Sequence, residues 1–195
     1  MRIPPRVRCL ITACCLLALP SLLAAAEAPT TTPSPVPVPT VWSGDKPPFG
    51  LTGGADSIDA LIDQYIAAIT AGDLAALEPL RVTLEEYGSI IVPGMVEKGK
   101  QPRTTFEKVN AVFYGMLDSR SRYSVQSLID RFKGKKIVRH ELTFSKPTQE
   151  WAWYTAHGEV RLVLFDDRGT RYEMKSGWIA EVNGRFKFIG FDWKN

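Results

Sequence analysis

Ser176-Gly177-Trp178-Ile179-Ala180-Glu181-Val182-Asn183-Gly184-Arg185-Phe186-Lys187-Phe188 is the stretch that decides the fold of this 195-residue chain. Asn183-Gly184 between two alternating runs is its strongest short hairpin signal, because both residues accept the positive φ of a type I′ turn. Upstream, Asp166-Asp167-Arg168-Gly169 marks another hairpin, and Pro147 closes a strand on which Val138, His140, Leu142 and Phe144 share one face. The strands expected are one ending at Phe144, a long one over Trp151–Phe165 kinked at Gly158, one over Tyr172–Val182, and one over Arg185–Trp193. Trp178 shares parity with Met174, Ser176, Ala180 and Val182, a mostly apolar row that should face the helices.

Before Lys135 the periodicity is helical. Asp56 or Ser57 can cap a helix whose buried stripe is Ile58, Leu61, Ile62, Tyr65, Ile66 and Ile69, and Gly72 ends it. Asp73 caps a short helix through Leu74, Leu77 and Leu80. Thr83-Leu84-Glu85-Glu86 is a capping box for a third, which stops near Pro93-Gly94 before a polar loop from Glu97 to Arg103. Thr104 or Thr105 should cap a longer helix with Val109, Val112, Phe113, Met116 and Leu117 as its buried stripe. A break is expected near Ser119–Ser124, after which Val125, Leu128, Ile129 and Phe132 continue the pattern to Gly134. Helices followed by a strand meander give an α+β domain, its N-terminal helices packed on a curved antiparallel sheet of about four strands.

The N-terminus sets the compartment. Arg2, Arg6 and Arg8 precede an apolar run from Cys9 to Leu23 that ends in Ala24-Ala25-Ala26, the layout of a signal peptide over residues 1–26. Cleavage after Ala26 would leave Glu27 first and export the chain to the periplasm or medium. Pro20 interrupts the run, which argues against a spanning helix and so against stable membrane insertion after processing. A lipobox reading of Ile11-Thr12-Ala13-Cys14 would leave almost no apolar region ahead of the cut. Cys9, Cys14 and Cys15 would all be discarded, which excludes disulfides and thiol chemistry from the mature chain. Removing three arginines from 24 Lys+Arg leaves 21, balancing the 21 Asp+Glu. A neutral chain gives no reason to expect nucleic acid as a partner. Residues 27–54, with Pro29, Pro33, Pro35, Pro37 and Pro39, read as an extended linker, and residues 55–195 as the domain.

Ala71-Gly72-Asp73 closing an amphipathic first helix, a short second helix and long late strands together resemble the nuclear-transport-factor-2-like superfamily. The closing hairpin quoted above is similar to that of its exported bacterial members. The resemblance implies a cone-shaped, cystatin-like fold shared with ketosteroid isomerase, scytalone dehydratase and polyketide cyclases. In those enzymes an acid or base lies inside the cone; here no such motif matches residue by residue. The same fold also serves as a ligand cup or as a homodimer packed through the open face of its sheet.

Two groups of residues could carry function. His140 and His157 are the candidates for a base near neutral pH, with a carboxylate such as Glu141 or Asp192 beside one of them. Trp151, Trp153, Tyr154 and Trp178 are the candidates for the wall of a site that takes a small apolar ligand or a protein partner. The competing reading of those aromatics is simple core filling. Arg161, Arg168, Arg171, Lys175, Arg185 and Lys187 are offset by acids, and alternation puts most of them on the solvent side. No metal set, phosphate loop or nucleophile elbow is present in the sequence, and no cofactor is expected.

Overall fold

The computed structural model describes Pro47 and residues 49–100 and 108–191. The expected signal peptide, Trp42, the Thr104 or Thr105 cap, Asp192 and Trp193 lie outside these residues. Helix α1 (Ile58–Ala71) opens where the Ser57 side chain accepts from the Ala60 amide and closes at Gly72. Helix α2 (Leu74–Leu77) is capped by Asp73 and runs into a 3-10 turn over Glu78–Leu80. The capping box of Thr83 and Glu86 starts α3 (Leu84–Glu86), which passes through a π turn (Tyr87–Ile91) into α4 (Val92–Gly94).

Helix α5 (Lys108–Phe132) is unbroken, contrary to the interruption expected near Ser119–Ser124. Ser121 and Ser124 are buried rather than terminating the helix, and the Ser121 hydroxyl accepts the Phe191 amide at 3.0 Å. The stripe expected to be buried is also corrected. Val112, Phe113 and Met116 are exposed and Leu117 is half-buried, while Val125, Leu128, Ile129 and Phe132 do enter the core.

Seven short antiparallel strands follow: β1 (Ile137–Phe144), β2 (Gln149–Glu150), β3 (Thr155–His157), β4 (Val160–Asp166), β5 (Arg171–Lys175), β6 (Ile179–Val182) and β7 (Arg185–Phe188). They form two ladders, β1-β4-β5 and β2-β3-β6-β7. The four long strands of the sequence reading are present as fragments because two of them bend. One breaks at Gly158–Glu159 and its neighbour at Ser176–Trp178, and the two breaks face each other through Ser176 N–H to Val160 O (2.9 Å). Gly158 permits the bend, since a Cβ there would lie 2.0 Å from the Lys146 carbonyl oxygen. The β6–β7 turn is the expected one, with Asn183 and Gly184 at φ 51° and 75°.

The β6–β7 hairpin is covered on both faces. Ile179 and Phe188 join the larger core with α1, α5 and β4, whereas Ala180 and Val182 join a smaller one with Val82, Ile90, Ile91 and Trp153. Lys187 pairs with Ala180 in register and is therefore buried, not solvated as strand alternation suggested. Its ammonium donates to both Glu86 oxygens at 2.9 and 3.0 Å. Glu86 also accepts from the Thr83 amide (2.8 Å) and from the amide and hydroxyl of Thr52 (2.7 and 3.0 Å). Leu51, read as the end of the linker, is buried in the smaller core.

Burial by itself pushes the Glu86 carboxyl up, but the Thr83, Lys187 and Thr52 hydrogen bonds outweigh it and hold the group below its ordinary value of 4.5. A depressed folded value means that this contribution is full above the ordinary value and is lost as pH falls through the folded one. Lys187→Met should therefore cost about 3–5 kcal/mol at neutral pH, because an unpaired buried carboxylate remains. The double variant Glu86→Gln/Lys187→Met should recover much of that loss and soften the acid limb of the melting curve. Urea unfolding at pH 7 and melting temperature against pH check both outcomes.

Candidate functional site

An open cleft of about 330 Å3 lies between α5 and the second ladder. One wall is aromatic: Trp151, Tyr154 and Trp178 all line it. Leu117 and Arg120 of α5 form the opposite side, and Gln149 and Glu159 add polar groups. The aromatic wall is fixed by backbone bonds. The Trp151 amide donates to Tyr154 O (2.9 Å), and the Ala152 amide reaches Val96 O (3.0 Å), just past α4, and Gly94 O (3.2 Å) at its end. The Trp151 and Tyr154 rings lie 6.5 Å apart at 34°. Trp178 sits in the break between β5 and β6, where its carbonyl accepts the Ile189 amide at 2.8 Å.

The far side is held close by Gly190. A Cβ at that position would meet Leu117 Cδ1 at 2.5 Å, so α5 reaches the chain only because the side chain is absent. Burial, helped by the nearby Tyr87, pushes the Tyr154 phenol well above its ordinary value, so it stays neutral. The cleft is thus an apolar, aromatic slot with neutral and charged polar heads at its edge. Such a surface suits flat apolar molecules that carry a hydrogen-bonding group.

Three of the four aromatics singled out in the sequence converge here, and Trp153 does not. It is buried in the smaller core and packs against Gly94, as core filling predicts. Trp178 is half-buried rather than enclosed, because the strand breaks at its position and the expected parity row ends there. Met95, Leu117, Arg120, Gln149 and Glu159 were not found by sequence reasoning. Of these only Leu117 carried a signal, as the last member of the α5 apolar stripe.

Neither histidine lines the cleft. His157 Nε2 and Glu181 Oε2 are 2.8 Å apart, with the Phe144 and Phe186 rings at 6.2 and 6.0 Å. His140 lies on the core-facing row of β1, its Nδ1 3.8 Å from Asp63 Oδ1, beyond hydrogen-bond reach. Of the carboxylates expected beside them, Asp192 lies outside the described residues. Glu141 alternates to the opposite face of β1 from His140, and the true neighbours come from β6 and α1, which sequence spacing does not reveal. Among the described residues no group of three His, Cys, Asp or Glu is placed to hold a metal ion. Among them, too, no helix is long and apolar enough to cross a membrane.

The chain matches no model of a known protein family, no characterised protein and no solved structure. The site must speak for itself.

The two tryptophan environments differ, and so should their energetics. Trp153→Ala empties part of a closed core and should cost about 3–5 kcal/mol. Trp178→Ala removes a half-exposed wall and should cost clearly less, with near-native circular dichroism. Chemical denaturation of the two variants side by side measures the difference.

Proposed function

We propose that this chain is an exported, non-catalytic binding domain that takes a small, flat, apolar molecule into the Trp151–Tyr154–Trp178 cleft. The observation that carries this reading is the convergence of those three aromatics on one open cavity of about 330 Å3, within the size range of small-molecule sites. Leu117 and Met95 extend the apolar lining, and Arg120, Gln149 and Glu159 supply the few polar contacts that orient such a ligand.

Export is supported by the basic, apolar and Ala-x-Ala sequence of residues 1–26. Kinship with the nuclear-transport-factor-2-like superfamily is supported by helices preceding a bent antiparallel sheet and by the Ala71-Gly72-Asp73 and Asn183-Gly184 stretches. An enzymatic reading draws on the His157–Glu181 pair, a base held by a carboxylate. It takes second place because neither histidine reaches the cleft.

Anilinonaphthalene sulfonate, a flat fluorescent probe, tests the binding reading. It should bind saturably at one site with blue-shifted emission, and Trp151→Ala or Trp178→Ala should weaken it about tenfold or more. Lys175→Ala should leave it unchanged. Equal binding by both tryptophan variants and the wild type would sink the proposal.

Processing is tested separately. The intact mass of the protein recovered from outside the cytoplasm should correspond to a chain starting at Glu27. A mass retaining residues 1–26, or a lipidated Cys14, contradicts it.

A further inference from the structure

Helix α5 is packed on its C-terminal half, and among the residues of described burial one side of it is exposed from Val112 to Tyr123. Val112, Phe113, Met116 and Tyr123 are 63, 56, 65 and 77 % exposed. At about 100° per residue, Val112, Met116, Ser119 and Tyr123 fall within a roughly 60° arc, with Arg120 about 40° and Phe113 about 60° beyond its edge. Between Val112 and Tyr123, Arg120 is the one charged residue near that arc, while Lys108 lies before it and Asp130 continues the same row toward the C-terminus. Scattered exposed apolar residues need no explanation, but three within one narrow arc, with a fourth beside it, do. Depletion of charge with Met, aromatic and Arg side chains retained is the composition of an interface centre.

The geometry points to a second copy of this chain as the occupant, the two α5 helices lying antiparallel about a two-fold axis between Leu117 and Asp118. Two features favour a copy over another partner. The first is self-complementarity. That axis sets Val112 against Tyr123 of the second copy and Met116 against its Ser119, large side chain against large at the ends and large against small at the centre. Gly115, at the edge of the same arc, adds room, since a Cβ there would meet nothing within 4 Å.

The second feature is area. The exposed parts of Val112, Met116 and Tyr123 amount to on the order of 400 Å2. At the roughly 60 % apolar share of protein interfaces, this corresponds to about 700 Å2 per partner, near the low side of a standard stable interface. The open face of the β1-β4-β5 ladder, through which the resemblance implied dimerisation, carries Val163 and Phe165 half-buried among charged neighbours. It presents Arg161, Arg171 and Glu173 to solvent.

Sedimentation equilibrium of the full processed chain tests the inference. The wild type should sediment at twice the chain mass. Met116→Glu should weaken the dimer about tenfold or more with unchanged circular dichroism and melting temperature. Tyr123→Glu, at the most exposed position, should do the same and covers the case in which Met116→Glu perturbs folding. A monomeric wild type, or a dimer that survives both substitutions, overturns the inference. So does a wild-type monomer that floats with phospholipid vesicles, since the face would then belong to a membrane.

Discussion

The buried contact between Lys187 and Glu86 binds three distant stretches of chain into one unit. Glu86 belongs to the capping box that starts α3, it receives Thr52 from the segment ahead of α1, and it holds β7 through the Lys187 ammonium. An ion pair at this depth earns little net stability compared with apolar packing of the same volume. What it contributes is selectivity. A carboxylate with these donors has one satisfactory arrangement, so the helix start, the entering strand and the closing hairpin must adopt a single relative placement.

That placement explains the site. With β7 fixed to the start of α3, the β6–β7 hairpin lies between two apolar clusters and the sheet must bend to remain covered on both sides. The bend interrupts both neighbouring strands, and at the interruption the tryptophan of Ser176–Trp178 turns into a groove instead of a core. The Trp151–Tyr154 segment, clamped to the end of α4, supplies the facing rings. The cleft is therefore a by-product of how the two cores are joined, and its aromatic lining is residue choice at an unavoidable gap.

Local features were legible in the sequence, and long-range ones were not. The Ser57, Asp73 and Thr83 caps, the Gly72 stop and the Asn183-Gly184 turn depend on neighbours a few residues away, and all appear as read. Helical periodicity announced an apolar face on α5 but cannot say what covers it, so its first half was misassigned to the core. Strand alternation assumes one wet face, and it failed at Lys187 because both faces of β7 are dry. The break at Gly158 depends on the Lys146 carbonyl, and the partners of His157 and His140 depend on cross-strand and helix register. None of these is encoded in spacing along one segment. Within the candidate site, residue type picked out the aromatic wall, while on the α5 side Leu117 alone carried a signal and Arg120 carried none.

The last of the described strands is the one that reaches back to the first residues of the fold. Phe186 exchanges backbone hydrogen bonds with Ala55, Arg185 bonds the Gly53 carbonyl 132 positions earlier, and Lys187 meets Glu86 across 101. A chain in which β7 has not yet docked thus lacks the piece that closes both cores and neutralises Glu86. Folding is deferred until β7 is available, because its contacts are long-range in sequence. For a chain exported as proposed, that delay leaves an interval in which it is still loose enough to be threaded through a narrow channel.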